Sequence, residues 1–179
     1  MQALLDAPDV RMARGLRTRA ILEVAYGTGA RLEELSRMKL GDLDLANGTV
    51  RILGKGSRER VVPLGRGAIE WVRRYAAEAR GRHAEGASAA LWLKDGGRPL
   101  GSQGISRSIQ VCVRKAGVTT PTTPHAIRRA CATHMLRRGA HPVQLQMLLG
   151  HASLRHLSAY LRVSFHEMHA VHQRSRLGQ

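Results

Sequence analysis

Thr123-Pro124-His125-Ala126-Ile127-Arg128 combines residue types that could hold and transform an anion. A histidine and an arginine three apart on a helix lie on one face, because the period is about 3.6 residues. Thr123 can cap such a helix, and Pro124 fits its first turn, where a missing N–H costs nothing. His125 and Arg128 are therefore predicted in the opening turns, beside free backbone N–H groups and the positive end of the helix dipole. A phosphate is the natural guest of that arrangement. Taken alone, the pair also fits a buried cap-region histidine and a surface charge.

Other residues carry similarly divided readings. Arg31 opens a short helix directly after Gly27-Thr28-Gly29, where it could face an anion or be a solvated arginine paired with Glu34. Lys55 lies in the turn Gly54-Lys55-Gly56-Ser57-Arg58, presented at an exposed glycine-flanked tip, where it also fits an ordinary hydrophilic turn residue. The GxxxxGK[ST] spacing of a nucleotide-binding loop is absent there. His166, His169 and His172 are spaced by three, but this spacing drifts round a helix and no acidic cluster accompanies it, so no metal site is expected.

Charge narrows the partner. Among 179 residues, 29 Lys and Arg face 13 Asp and Glu, a formal net charge of +16 that is mostly arginine and spread along the chain. That excess points to a polyanion. Two Trp, three Tyr and one Phe are too few to stack single-stranded bases, which favours contact with a duplex backbone. They also imply an aliphatic core. Cys112 and Cys131 match no CxxC pattern and fit reduced thiols in a cytoplasmic protein. No apolar run approaches membrane-spanning length, and no signal-peptide layout opens the chain, so no membrane partner is expected.

The elements that must position these residues follow from periodicity. A short Leu4-Leu5 helix ended by Pro8 precedes a helix from Arg17 to Gly27 and another from Arg31 to Met38. Alternation around Leu43 and Leu45, the Asn47-Gly48 turn, Val50 to Leu53, and Glu59 to Val62 predict three antiparallel strands. Helices are then expected over Gly65 to Arg80, Ser102 to Ala116 (capped by Ser102), Pro124 to about Arg138 and Pro142 to Leu149. A buried Leu91-Trp92-Leu93 segment separates the first two of these, after a loop over Gly81 to Ser88. A further helix from Ser153 carries Tyr160, and a last amphipathic stretch shows Phe165, Met168 and Val171. The expected fold is mainly α with a small three-stranded antiparallel β-sheet, one α+β domain over 1–179.

Set in order, these pieces resemble the catalytic domain of the tyrosine recombinases, the phage integrases and Xer-type resolvases. The matching runs are Tyr26-Gly-Thr-Gly-Ala-Arg31-Leu-Glu-Glu-Leu35, Gly54-Lys-Gly-Ser-Arg-Glu-Arg-Val-Val-Pro-Leu64, Thr123 to Leu136, and Leu148-Leu-Gly-His151 ahead of Tyr160. Six family positions fall on Arg31, Lys55, His125, Arg128, His151 and Tyr160. The resemblance implies that Tyr160 attacks a DNA phosphodiester, leaving a 3′-phosphotyrosyl bond and a free 5′ hydroxyl. Bond energy stays in that intermediate, so religation needs no nucleotide cofactor. Arg31 and Arg128 would grip the non-bridging oxygens with paired donors and stabilise the five-coordinate phosphorus. His125 would take the phenol proton, whose ordinary pKa of about 10 otherwise holds it at neutral pH. Lys55 would protonate the leaving oxygen and His151 would bond the scissile phosphate. With those cations present no metal is required.

The resemblance also implies duplex DNA as partner, a homo-tetramer on paired sites and a monomer in free solution. Family members usually carry an N-terminal DNA-clamping domain that these residues do not supply, so the chain is expected to be a fragment of a longer recombinase or else a short form acting with a partner. Residues 164–179 are expected to dock on a neighbouring protomer or on their own domain. His156 and Leu157 stand where the family often has small hydroxylated residues, and Cys131 where Phe is common. Arg58, Arg60, Arg107 and Arg129 are candidates for DNA phosphate contact. The rival readings are a type IB topoisomerase, a catalytically idle DNA-binding module and a metal-dependent nuclease.

Overall fold

The computed structural model describes residues 1–54, 56, 58–81 and 88–150. The helices anticipated around Tyr160 and the tail 164–179, the three spaced histidines, and Lys55, His151 and Tyr160 themselves lie outside the described residues.

Helix α1 covers Gln2–Asp6 and α2 covers Ala13–Thr28. The second begins four residues ahead of the expected Arg17, because Ala13 and Leu16 extend the inward face that periodicity assigns to Ala20, Ile21 and Val24. It runs through Gly27 and stops at Gly29, whose φ of 60° no β-carbon-bearing residue adopts cheaply. Helix α3 is only Leu32–Ser36, with Arg31 as its N-cap residue. A 3₁₀ turn over Leu40–Asp42 leads into the sheet.

Strands β1 (Leu43–Asp44), β2 (Thr49–Leu53) and β3 (Glu59–Pro63) form an antiparallel sheet in the order β1-β2-β3. Register pairs Val50 with Val62 and Ile52 with Arg60. Side chains alternate between faces, so Val50, Ile52, Arg60 and Val62 share the inward face while Val61 stays 67% exposed.

Helix α4 (Arg66–Arg74) widens its hydrogen-bond pattern into a π-helical turn over Tyr75–Arg80. Along this turn Tyr75 and Ala79 are fully buried and Ala76 is half-buried. Helices α5 (Ser102–Lys115), α6 (Pro124–Arg137) and α7 (Pro142–Leu149) complete the described chain. Ser102 is not the cap of α5. Gly101 holds that position and no side chain caps the helix. Thr123 caps α6 as predicted, its hydroxyl accepting from the Ala126 N–H at 3.2 Å.

The main core packs α2 against α4, α5 and the inner face of the sheet, around Ile21, Leu22, Val50, Ile52, Ile105 and Ile109. It is aliphatic with one exception. Trp92 and Tyr75 stack at its centre with ring centroids 5.7 Å apart. The Trp92 indole donates to the Leu35 carbonyl at 2.9 Å and the Tyr75 hydroxyl accepts from the Leu93 amide at 3.0 Å, so both polar tips are satisfied. A smaller cluster, Ala132, Leu136, Leu145 and Leu149, joins α6 to α7. Cys112 and Cys131 are buried free thiols. Among the described residues, no helix is long and apolar enough to cross a membrane, and no group of His, Cys, Asp or Glu could hold a metal ion.

Candidate active site

Arg128 is the centre of the described site. Its side chain is 3% exposed. The guanidinium donates through Nη1 to the Gly29 carbonyl at 2.5 Å and through Nη2 to the Leu149 carbonyl at 2.8 Å. Those carbonyls lie two residues before Arg31 and two before His151. One cation on α6 thus draws together the turn after α2 and the end of α7, which are 120 positions apart, 149 less 29. His125 sits one turn earlier and is exposed. The two residues share a helix but not an environment: His125 looks outward and Arg128 is embedded.

Both turns need glycine. Gly29 and Gly150 have φ of 60° and 63°. A β-carbon at Gly29 would come within 2.5 Å of Leu149 Cδ2 and 3.3 Å of Cys131 Sγ. Gly29→Ala is therefore expected to cost about 2–4 kcal/mol, combining left-handed backbone strain with overpacking. A fall in the urea midpoint at unchanged slope is the expected reading; an unaltered midpoint contradicts this packing.

Arg31 is half exposed. Its backbone N–H donates to Glu34 Oε2 at 2.8 Å and its Nη1 to Glu34 Oε1 at 3.0 Å. The pairing with Glu34 expected of an ordinary surface arginine is real, but Glu34 itself is buried, at 6% exposure. It also accepts from Arg60 Nη1 at 3.0 Å and Nη2 at 2.7 Å. Arg60 Nε then donates to the Leu148 carbonyl at 2.9 Å. Burial by itself would push the Glu34 carboxyl up; the hydrogen bonds from Arg60 and from the Arg31 amide, with the Arg60 charge, outweigh it and hold the group at about 2.

Arg60 and Arg128 therefore grip the consecutive carbonyls of Leu148 and Leu149, and the Glu34–Arg60 pair ties that grip to Arg31 and β3. Composition and position suggest Arg60 as one of the arginines facing DNA, whereas its guanidinium is 13% exposed and bonded inside the protein. Strand parity carries the signal, because Arg60 lies two residues before Val62 on the inward face. Glu34 is visible in the sequence only as the nearest acid to Arg31. Arg58, Arg107 and Arg129 are exposed.

The arrangement presents an exposed imidazole, a half-exposed guanidinium braced by a buried carboxylate, and an embedded guanidinium beneath two glycine turns. It can fix two cationic groups with little reorganisation, the condition for stabilising charge that develops on an anion.

Comparison with known proteins gives a consistent picture. Residues 1–167 match the phage integrase family. The tyrosine recombinase XerD of Pseudomonas putida is 39% identical over 176 residues, covering 96% of this chain and 59% of that protein. XerC of Pelotomaculum thermopropionicum is 37% identical over 177 residues, with 96% and 58% covered. The chain thus spans under two thirds of the length of these relatives. The crystal structure of XerA recombinase superposes with a TM-score of 0.84 at 26% identity, covering 96% of this chain and 62% of that one. The pre-cleavage complex of the XerH site-specific recombinase with its difH substrate does so at 0.77 and 25%, covering 89% and 47%.

Proposed function

This chain belongs to the phage integrase family of tyrosine recombinases, and from that premise we propose that it cuts and rejoins duplex DNA at specific sites through a 3′-phosphotyrosyl intermediate. The observation that carries the reading is the buried guanidinium of Arg128, bonded at once to the carbonyls of Gly29 and Leu149. It gathers three of the four family runs, and Arg60 brings in the fourth through Leu148 and Glu34.

In this reading Tyr160 is the nucleophile, Arg31 and Arg128 hold the non-bridging oxygens, and His151 bonds the scissile phosphate. His125 accepts the phenol proton, and Lys55 returns one to the 5′ oxygen. The P–O bond to the 5′ oxygen breaks as the P–O bond to tyrosine forms, so no high-energy cofactor is consumed. The exposed arginines Arg58, Arg107 and Arg129 contribute backbone contacts. The chain acts as a tetramer on paired sites, is a monomer without DNA, and works as the catalytic part of a longer recombinase.

The test is a nicked suicide duplex carrying the recombination site, incubated with the protein in EDTA. A denaturation-resistant adduct whose DNA-linked peptide contains Tyr160 is the expected result. Absence of an adduct on a site that the protein binds refutes the proposal. An adduct accompanied by relaxation of plasmids that lack paired sites assigns topoisomerase action instead.

A further inference from the structure

Away from Arg31 and Arg128 lies a second arginine whose environment is unfinished. Arg17, in the first half of α2, is 5% exposed. Its Nη1 donates to the Leu93 carbonyl, and among the described residues Nε has no hydrogen-bond partner at all. Burial lowers its pKa, outweighing the opposite pull of Tyr75 and Asp95. That pull partly offsets the burial, but Nε, which no acceptor meets among the described residues, is a desolvated donor whose cost a nearby anion would reduce.

The nearby carboxylates are occupied. Asp95 is held by Arg14 Nε at 2.7 Å, and Asp9 by Arg11 Nε at 2.8 Å. Arg17 lines two adjoining open hollows of about 410 and 510 Å³ between α2 and α5. Arg14 borders both, Lys115 the first, and Lys94 and Arg107 the second. Arg107 also borders a third open hollow, with Leu32, the residue after Arg31, and with Ser102 and Gln103. From Arg17 to Thr28 is eleven residues of α2, or roughly 16 Å at about 1.5 Å each.

We infer that these hollows form a second phosphate grip, in which Arg17, backed by Arg14 and Lys94, binds one backbone phosphate of the same duplex away from the scissile position. The inference rests on the DNA reading above. A linear polyanion fits better than a free ion because Lys115, Arg14, Lys94 and Arg107 border successive hollows that share lining residues. Arg17 is the specific element, since a largely buried fork of N–H donors at the floor of the hollows binds phosphate better than a solvated surface charge does.

The experiment measures affinity of the full chain for a fluorescent duplex across a salt series. Arg14→Gln/Lys94→Gln, which leaves Arg17 in place, and Arg17→Lys are compared with Arg73→Gln on α4, outside the hollows. The double variant and Arg17→Lys are each expected to bind about five- to tenfold more weakly at low salt, with a log–log slope less negative by roughly 0.9 for each phosphate no longer neutralised. Arg73→Gln should keep the native slope. The Arg17 Nε–H resonance should shift on adding duplex and not on adding inorganic phosphate alone. Native slopes in both hollow variants, an equal change in Arg73→Gln, or a resonance moved only by inorganic phosphate each overturn the inference. Tyr160 adduct formation reads separately: if adduct forms while the slopes are unchanged, only the second grip fails, and if the slopes change without adduct, only the recombinase reading fails.

Discussion

Arg128→Ala is expected to lower formation of the phosphotyrosyl adduct by about 10³- to 10⁵-fold, the range in which a transition-state arginine contributes to phosphoryl transfer. The same change should lower stability by roughly 2–3 kcal/mol, because two charge-assisted hydrogen bonds disappear from a 3%-exposed site. The two effects separate in Arg128→Lys. Lysine keeps the charge but offers one ammonium in place of a planar fork, so it cannot serve the Gly29 and Leu149 carbonyls while also presenting donors to a phosphate. The lysine variant is expected to recover part of the stability and remain at least about 10²-fold slow in cleavage. Single-turnover cleavage on a nicked duplex, alongside urea unfolding, reads both numbers. Adduct formation by the alanine variant within tenfold of native would show that Arg128 only braces the fold.

The contrast between Arg128 and Arg60 shows where a linear reading succeeds. Thr123, Pro124 and the apolar spacing of α6 are local signals, and the helix begins where they place it. Gly48 and Gly150 are equally local, because positive φ is a property of one residue. The three-stranded sheet is legible from alternation between two turns. What a chain position cannot display is a partner 26 or 88 residues away, and Arg60 is held at both distances, by Glu34 and by Leu148. Composition also misleads. An excess of +16 makes every arginine look like a DNA contact, although strand parity already places Arg60 inward beside Val62. Arg17 is hidden in the sequence for the same reason, its surroundings lying on the Leu93 turn and across α5. The interactions that position Arg31 and Arg128 are long-range, whereas the residues themselves are visible as types at fixed spacing.

Glu34→Gln should reveal the brace through its dependence on pH. The carboxyl is held at about 2 against an ordinary 4.5, a depression that corresponds to about 3 kcal/mol at 1.36 kcal/mol per pKa unit. The folded pKa lies below the unfolded one, so the contribution is complete above about pH 4.5 and disappears as pH falls toward 2. Near neutral pH the glutamine variant, which leaves the Arg60 guanidinium facing a neutral amide, is expected to lose about 3–5 kcal/mol. That translates into a melting temperature lower by roughly 6–15 °C for a chain of this size. At pH 3 the gap should shrink by about 2 kcal/mol, because the unfolded chain then protonates Glu34 while the folded carboxyl stays mostly ionised. Arg60→Met should cost a similar amount, and Glu34→Gln/Arg60→Met less than the sum, because the double change removes both buried charges together. Cleavage should fall in both single variants, as Arg31 loses its anchor and the Leu148 carbonyl its donor. Thermal melts of the four proteins at pH 7 and pH 3 decide the matter. A gap that stays constant with pH, or strictly additive losses, would mean that Glu34 and Arg60 do not form the buried coupling through which β3, α3 and the end of α7 are held in register.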